Sequence, residues 1–334
     1  MVQLLKVHGS QNCFFILDQT KLKQELSDDE LRQLTTQITN QETGLLGGAD
    51  GVLVVNHPIR KGAVAQMRVI NADGSEASMC GNGLRTVARY VAERDHLTDF
   101  KVDTMNAGLQ VRKEADFADH VPAFAVEISP VRFNKEALPF DHLGHDRLLG
   151  TMVPELAPQL TFSAIAVPNP HLISFVSQKV IEGPLLGKLG PYLNGDNPYF
   201  SDGVNINFAQ ILGPNKLFVR TFERGVGFTN ACGTGMSATT LAFVLLHGDQ
   251  AAFDEPVTVY NPGGMVKTIA HFTDGRYWVE LVGNATFTHQ ITVAEEALHR
   301  GQVTADNSQV SSTGEQEAYE QFIQDLPTFN LSVK

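Results

Sequence analysis

The sequence predicts an α+β protein of two pseudo-symmetric halves, each a curved β-sheet packed around a central helix. Three observations lead there. Short strand-like runs outnumber helical patterns, two strongly apolar helices lie among those runs, and the stretch leading into each apolar helix repeats at an offset of 152 residues. The length of 334 residues agrees, at roughly 150 residues per domain.

The strand-like runs are residues 14–17, 52–55, 67–70, 124–128, 161–167, 206–211, 217–222, 257–260 and 277–282. They are rich in β-branched and aromatic residues and often punctuated by Gly, Pro, Asn or Asp. Ser27 followed by Glu30 is a capping-box signature, and Leu31, Leu34 and Ile38 follow at helical spacing. A second helix is expected after Gly83, with Leu84, Val87, Ala88 and Val91 on its apolar face and Arg85, Arg89 and Glu93 on the other. A third, after Gly235, is apolar nearly all round through residues 241–246 and stops at His247-Gly248, as a helix surrounded by protein should. Residues 302–317 read as a polar linker, after which Tyr319, Phe322, Ile323 and Leu326 predict a docked amphipathic helix. The expected division is 1–129 with 287–300 as one half, 130–286 as the other, and 301–334 as linker and tail helix.

Composition excludes several classes. Apolar residues make up 43% of the chain and charged residues 19%, enough for a core and too few charges for disorder. A net charge of −12 without a basic block argues against nucleic acid or anionic membrane as partner. No apolar run reaches the length of a membrane span, and residues 1–10 lack the pattern of a secretory signal. Three cysteines, Cys13, Cys80 and Cys232, exclude a disulfide scaffold and fit a reducing cytoplasm. No two have C-x-x-C spacing, which argues against structural zinc.

Two of these cysteines carry the repeat. Cys80-Gly81-Asn82-Gly83 precedes one buried helix and Cys232-Gly233-Thr234-Gly235 the other. At the same offset Arg68 meets Arg220, and Asp50-Gly51-Val52 meets Asp202-Gly203-Val204. Duplication of an ancestral half accounts for this agreement. Facing each other across a pseudo-two-fold axis, the two loops would bring Cys80 and Cys232 to opposite sides of one cleft.

A cysteine just before a helix lies near the unpaired N–H groups of the first turn, which favour thiolate over the free value of about 8.5. The neighbouring glycines let the backbone approach an anion such as a carboxylate. Two chemistries suit a facing pair: disulfide redox, and two-base proton transfer that inverts a carbon centre. No Schiff-base lysine motif or nucleotide loop stands out, so no cofactor is expected. Cys13 has no partner in the repeat and reads as a structural residue.

Further strings point to a family. They are His8-Gly9-Ser10-Gln11-Asn12, Asn71-Ala72-Asp73-Gly74-Ser75-Glu76, Met79-Cys80-Gly81-Asn82-Gly83, Asn169-Pro170-His171, Asn205-x-Asn207-Phe208, Glu223-Arg224-Gly225-Val226-Gly227 and Ala231-Cys232-Gly233-Thr234-Gly235. In order and spacing, over residues 4–301, the chain resembles the diaminopimelate epimerases. The resemblance implies two barrel-like halves and cofactor-independent interconversion of LL- and meso-diaminopimelate in lysine and peptidoglycan-precursor synthesis. It further implies a cytoplasmic homodimer that binds no metal. It makes Cys80 and Cys232 the two bases, with backbone N–H groups around Gly81, Asn82, Gly233 and Thr234 holding the carboxylate at the reacting carbon. Asn12 becomes a cleft residue, and Asn71, Asn169, Asn205, Glu223 and Arg224 the grip on the distal zwitterion. Taken alone, each asparagine reads as a turn residue, and His8 and His171 as structural. The chain departs from the family pattern at Cys13, Gly51, Pro168 and Phe228, and in the tail after Gly301. Two other readings are a racemase of another amino acid, disfavoured by Glu223 and Arg224, and a thiol redox or anion-binding protein.

Overall fold

The structure is a computed structural model, and residues 1–327 are described. The chain forms two compact units. The first comprises Met1–Val126 with Val282–Asp325, and the second has Glu127–Leu281 as its main segment. Among the described residues no helix is long and apolar enough to cross a membrane.

The sheet of the first unit runs through Thr286–Val293, Val2–Gly9, Asn12–Asp18, Gly51–Asn56, Ala63–Asn71, Asp99–Asp103, Gly108–Lys113 and Ala123–Ile128. Helix Gly81–Asp95 packs against five of these strands, from Val2–Gly9 to Gly108–Lys113. Helix Asp28–Ile38 covers the other face. Its Leu31, Leu34 and Ile38 are buried with Phe15, Leu17, Val52 and Val54, and Ser27 and Glu30 form the expected capping box.

The second unit repeats the plan. From Thr161–Ala166 the order is Pro170–Phe175, Asn205–Gly213, Lys216–Glu223, Pro256–Asn261 and Gly264–Thr273, paired antiparallel, parallel, antiparallel, parallel and antiparallel. The same succession runs from Val2–Gly9 to Gly108–Lys113 in the first unit. Helix Gly233–Leu246 is buried against this sheet. Helix Leu185–Leu193 supplies Leu186, Leu189 and Leu193 to the core on the other face. The repeated arginines also serve alike. Arg68 reaches Asp28 on one outer helix at 2.9 Å, and Arg220 reaches the Ile181 carbonyl on another at 3.1 Å.

Eight of the nine strand-like runs lie within an observed strand, the run 161–167 passes the end of strand Thr161–Ala166 by one residue, and three further expectations need correction. Arg85 and Arg89 were placed on a polar helix face, yet they are 0% and 7% exposed. Strands surround the N-terminal part of this helix, so those two positions point into protein, whereas Glu93 is exposed as expected. The supposed linker contains strand Ser308–Ser312, antiparallel to Thr286–Val293. Its side chains are mostly exposed, so backbone hydrogen bonds at a sheet edge hold it, and no apolar alternation announces it. The tail helix is Glu315–Gln324, which ends before Leu326.

That helix docks firmly on the first unit. Tyr319 is buried with its ring 4.6 Å from His8, and Glu315 accepts two bonds from the Arg89 guanidinium at 2.6 and 2.7 Å. Glu315 also accepts from the Phe287 N–H. Glu315→Ala strips a nearly buried cation of its bidentate partner and is expected to cost about 3 kcal/mol. Urea unfolding checks this, and a midpoint equal to the parent's would rule it out.

Candidate functional site

Each unit presents its cysteine in the same local frame. Cys80 is the N-cap of Gly81–Asp95 and Cys232 the N-cap of Gly233–Leu246, both with extended backbone. The last residue of each Cys-Gly-x-Gly string is a glycine that packing requires. A Cβ at Gly83 would lie 2.7 Å from the Leu53 side chain, and one at Gly235 would lie 2.3 Å from Asn207 Oδ1. These glycines bring the helix start against a strand and leave the first-turn N–H groups, including those of Gly81, Asn82, Gly233 and Thr234, without intrahelical acceptors. A helix end of this kind attracts anions.

In the first unit Cys80 Sγ accepts from the Gly83 N–H at 3.4 Å and lies 3.6 Å from Asn12 Oδ1. Asn12 Oδ1 also accepts from Asn82 Nδ2 at 3.3 Å, while Asn12 Nδ2 donates to Asp50 at 2.6 Å. Asp50, which the sequence showed only as part of the repeat, therefore fixes the orientation of the Asn12 amide. Asp50 also accepts from the Cys13 N–H, and burial and that carboxylate push the Cys13 thiol up, away from reactivity. Asn71 donates to the Ser75 hydroxyl within its own turn.

The second unit joins its residues more completely. Cys232 Sγ lies 3.6 Å from Thr234 Oγ1, which lies 3.1 Å from His171 Nε2. Asn169 Oδ1 is also 3.1 Å from that nitrogen. Asn207 fixes the tautomer: its Oδ1 accepts from Thr221, so its Nδ2 donates to His171 Nδ1, leaving the proton on Nε2. Burial and the Arg224 charge push His171 down to about 3, so the ring is neutral. Glu223 bonds Cys232, and burial raises its carboxyl. The Arg224 N–H donates to Asn205 Oδ1 and its guanidinium to the Asp202 carbonyl, at 2.8 and 2.6 Å.

His171, read as structural, thus lies one hydrogen bond from the Cys232 loop. Its place two residues after Asn169, on a strand beside Asn205 and Asn207, was the available signal. None of the three cysteines is in a disulfide.

The fold has solved counterparts. A phenazine biosynthesis protein of the PhzF family from Bacillus anthracis superposes with a TM-score of 0.62 over 86% of this chain and 97% of that one. At 13% identity, that likeness defines the fold class alone. Sequence narrows it further. The family model for diaminopimelate epimerase matches residues 4–124 and 163–288, and the chain belongs to that family. A diaminopimelate epimerase from Ligilactobacillus salivarius is 53% identical over 97% of this chain and 99% of its own length. One from Lactiplantibacillus plantarum is 52% identical, with 97% and 98% covered. Such coverage runs into the C-terminal segment, so these relatives share the long tail.

The neutral buried His171 has a consequence for stability. Its folded pKa is depressed, so its contribution is full above the unfolded value near 6.5 and is lost as pH falls below it. Between pH 7 and pH 5 the parent should lose about 2 kcal/mol more than His171→Gln. Urea unfolding at the two pH values checks this, and equal losses would contradict a neutral buried ring.

Proposed function

We propose that this chain interconverts LL- and meso-diaminopimelate by moving a proton at one α-carbon, without a cofactor, in lysine and peptidoglycan-precursor synthesis. The observation that carries this reading, beside family membership, is that both repeat cysteines cap buried helices. In the mechanism one thiolate removes the α-proton and the other thiol delivers a proton to the opposite face, so the centre inverts. The negative charge that develops beside the α-carboxylate is stabilised by the first-turn N–H groups of Gly81, Asn82, Gly233 and Thr234. One forward turnover leaves the two protonation states exchanged, and proton exchange with water resets them before the next.

The remaining residues select the substrate. Arg224 suits the distal carboxylate and Glu223 the distal ammonium, while Asn71, Asn169 and Asn205 donate and accept around them and Asn12 lines the cleft. Fixed polar groups of this kind reject an amino acid without a second zwitterionic end, since they would be left unpaired. His171 holds Thr234, and through it the second anion-binding turn, in one orientation. On this reading the protein works in the cytoplasm, where thiols stay reduced, and as a homodimer. The two halves, divided near 129 and 287 in the chain, descend from one duplicated unit.

The reduced protein should exchange the α-hydrogen of diaminopimelate for deuterium in heavy water without added pyridoxal phosphate. No exchange would defeat the proposal. Cys80→Ala and Cys232→Ala should each lower epimerisation by at least a thousandfold with circular dichroism unchanged, and near-normal turnover by either would exclude the two-base scheme. Arg224→Ala should raise KM for diaminopimelate at least tenfold, whereas an unchanged KM would remove Arg224 from the distal grip.

A further inference from the structure

The first unit holds a cation with no obvious counterion. Arg85 lies on the helix that Cys80 caps, and it is fully buried. Its guanidinium donates from Nε to the Asn284 carbonyl and from Nη2 to Ser10 Oγ, both at 3.2 Å, and Nη1 has no hydrogen-bond partner. Among the described residues no carboxylate bonds it. Such a charge costs several kcal/mol unless something negative compensates it.

The surroundings fix where the charge sits. Helical side chains lean toward the N-terminus, and this one reaches the first turn. A Cβ at Gly9 would lie 2.9 Å from both Arg85 Nη2 and the Asn82 carbonyl oxygen, and one at Gly283 would lie 2.7 Å from the guanidinium carbon. Two glycines therefore make the slot, and it opens beside the residues that follow Cys80. Ser10 is held in turn by Asn284 Oδ1 and by the hydroxyl of Tyr319 on the C-terminal helix.

Nearby titratable groups do not supply the missing negative charge. His8, on strand Val2–Gly9, is pushed down to about 4 by burial and stays neutral. Burial pushes the Tyr319 hydroxyl up, against the Arg85 charge and the Ser10 hydrogen bond, so it also stays neutral. Glu315 is committed to Arg89, and Asp50 to Asn12 and Cys13. On strand Asn12–Asp18, Asp18 is taken by Tyr90 and Arg94. Burial lowers Arg85 to about 10, opposed by Tyr319 and Cys80, so it keeps its charge across the range in which a thiol titrates. The repeat position in the second unit is Ser237, which bonds the Gly233 carbonyl and brings no charge.

We propose that Arg85 is a positioning residue for the epimerisation, the built-in counter-charge of the Cys80 thiolate, and that the second unit has no equivalent. In the protonated state Cys80 can give its hydrogen to Asn12 Oδ1. When the proton leaves, Sγ retains the Gly83 N–H and gains the attraction of the buried guanidinium. The two thiols of the proposed mechanism are therefore electrostatically unequal, with Cys80 the more acidic. This inference rests on that mechanism only for its consequence in turnover, because the inequality belongs to the protein without substrate.

The test is iodoacetamide alkylation of the reduced protein between pH 5 and 10, with Cys80 and Cys232 followed separately by peptide mass spectrometry. Comparing pH midpoints rather than rates removes the difference in exposure. The Cys80 midpoint should fall at least one pH unit below that of Cys232, and a midpoint at or above it would overturn the proposal without any variant. Arg85→Met should raise the Cys80 midpoint by at least one unit and leave Cys232 alone, with kcat falling more than KM changes. A folded Arg85→Met with an unmoved Cys80 midpoint would also overturn it. Arg85→Lys, which keeps a charge, should lie between the two, and a value no lower than that of Arg85→Met counts against the proposal. An acidic Cys80 in a protein that does not exchange the α-hydrogen would defeat the epimerase reading alone. An ordinary Cys80 in an active enzyme would defeat this inference alone.

Discussion

The close approach of each buried helix to the strand beside its first turn is the constraint on which the rest depends. Gly83 and Gly235 make that approach possible, since a Cβ at either would overlap Leu53 or Asn207. With the helix start pressed against the sheet, the residue before it must be the cap, and in both units that residue is cysteine. The first-turn donors are then shielded from bulk water by the same packing that orients them, so their field is not averaged away. Packing and chemistry are one arrangement here: a larger residue in place of Gly83 or Gly235 would displace the thiol and the anion site together.

Much of this was legible in the sequence because the repeat does not depend on judging single residues. The two C-G-x-G strings, the paired arginines and the strand-rich spacing gave the halves, the central helices and both cysteine loops. The less legible parts were those in which polarity misleads. Arg85 and Arg89 have the spacing of a solvent face, and sequence cannot reveal that the sheet closes over that face. The strand Ser308–Ser312 has exposed side chains and lies at an edge, so only its pairing with Thr286–Val293 defines it. His171 looked structural, and in geometry it is: neutral, buried and hydrogen-bonded. Its value to the site lies in what it holds. No composition rule separates such a histidine from an ordinary core one.

The two units treat the same loop differently. In the first, an asparagine held by a carboxylate faces the sulfur, and a buried cation lies behind it. In the second, the loop is tied through Thr234 to a neutral imidazole, and a buried carboxyl bonds the sulfur. The two frames are alike in backbone and unlike in the groups around the sulfur. A substrate with one reacting end and one retained end requires such inequality, because a symmetric pair of units could not tell those ends apart.

The first unit is discontinuous: its sheet needs Thr286–Val293 beside Val2–Gly9, and the ring on His8 belongs to Tyr319. The main segment of the second unit is one uninterrupted stretch, Glu127–Leu281. During synthesis the middle of the chain can therefore complete its core first, while the N-terminal strands wait with an open edge through the 155 residues of that segment. The slot around Arg85 closes last, when the tail helix leaves the ribosome. A message truncated shortly before Tyr319 would thus yield a chain that has both cysteines and every residue of the proposed distal grip but not a finished first unit.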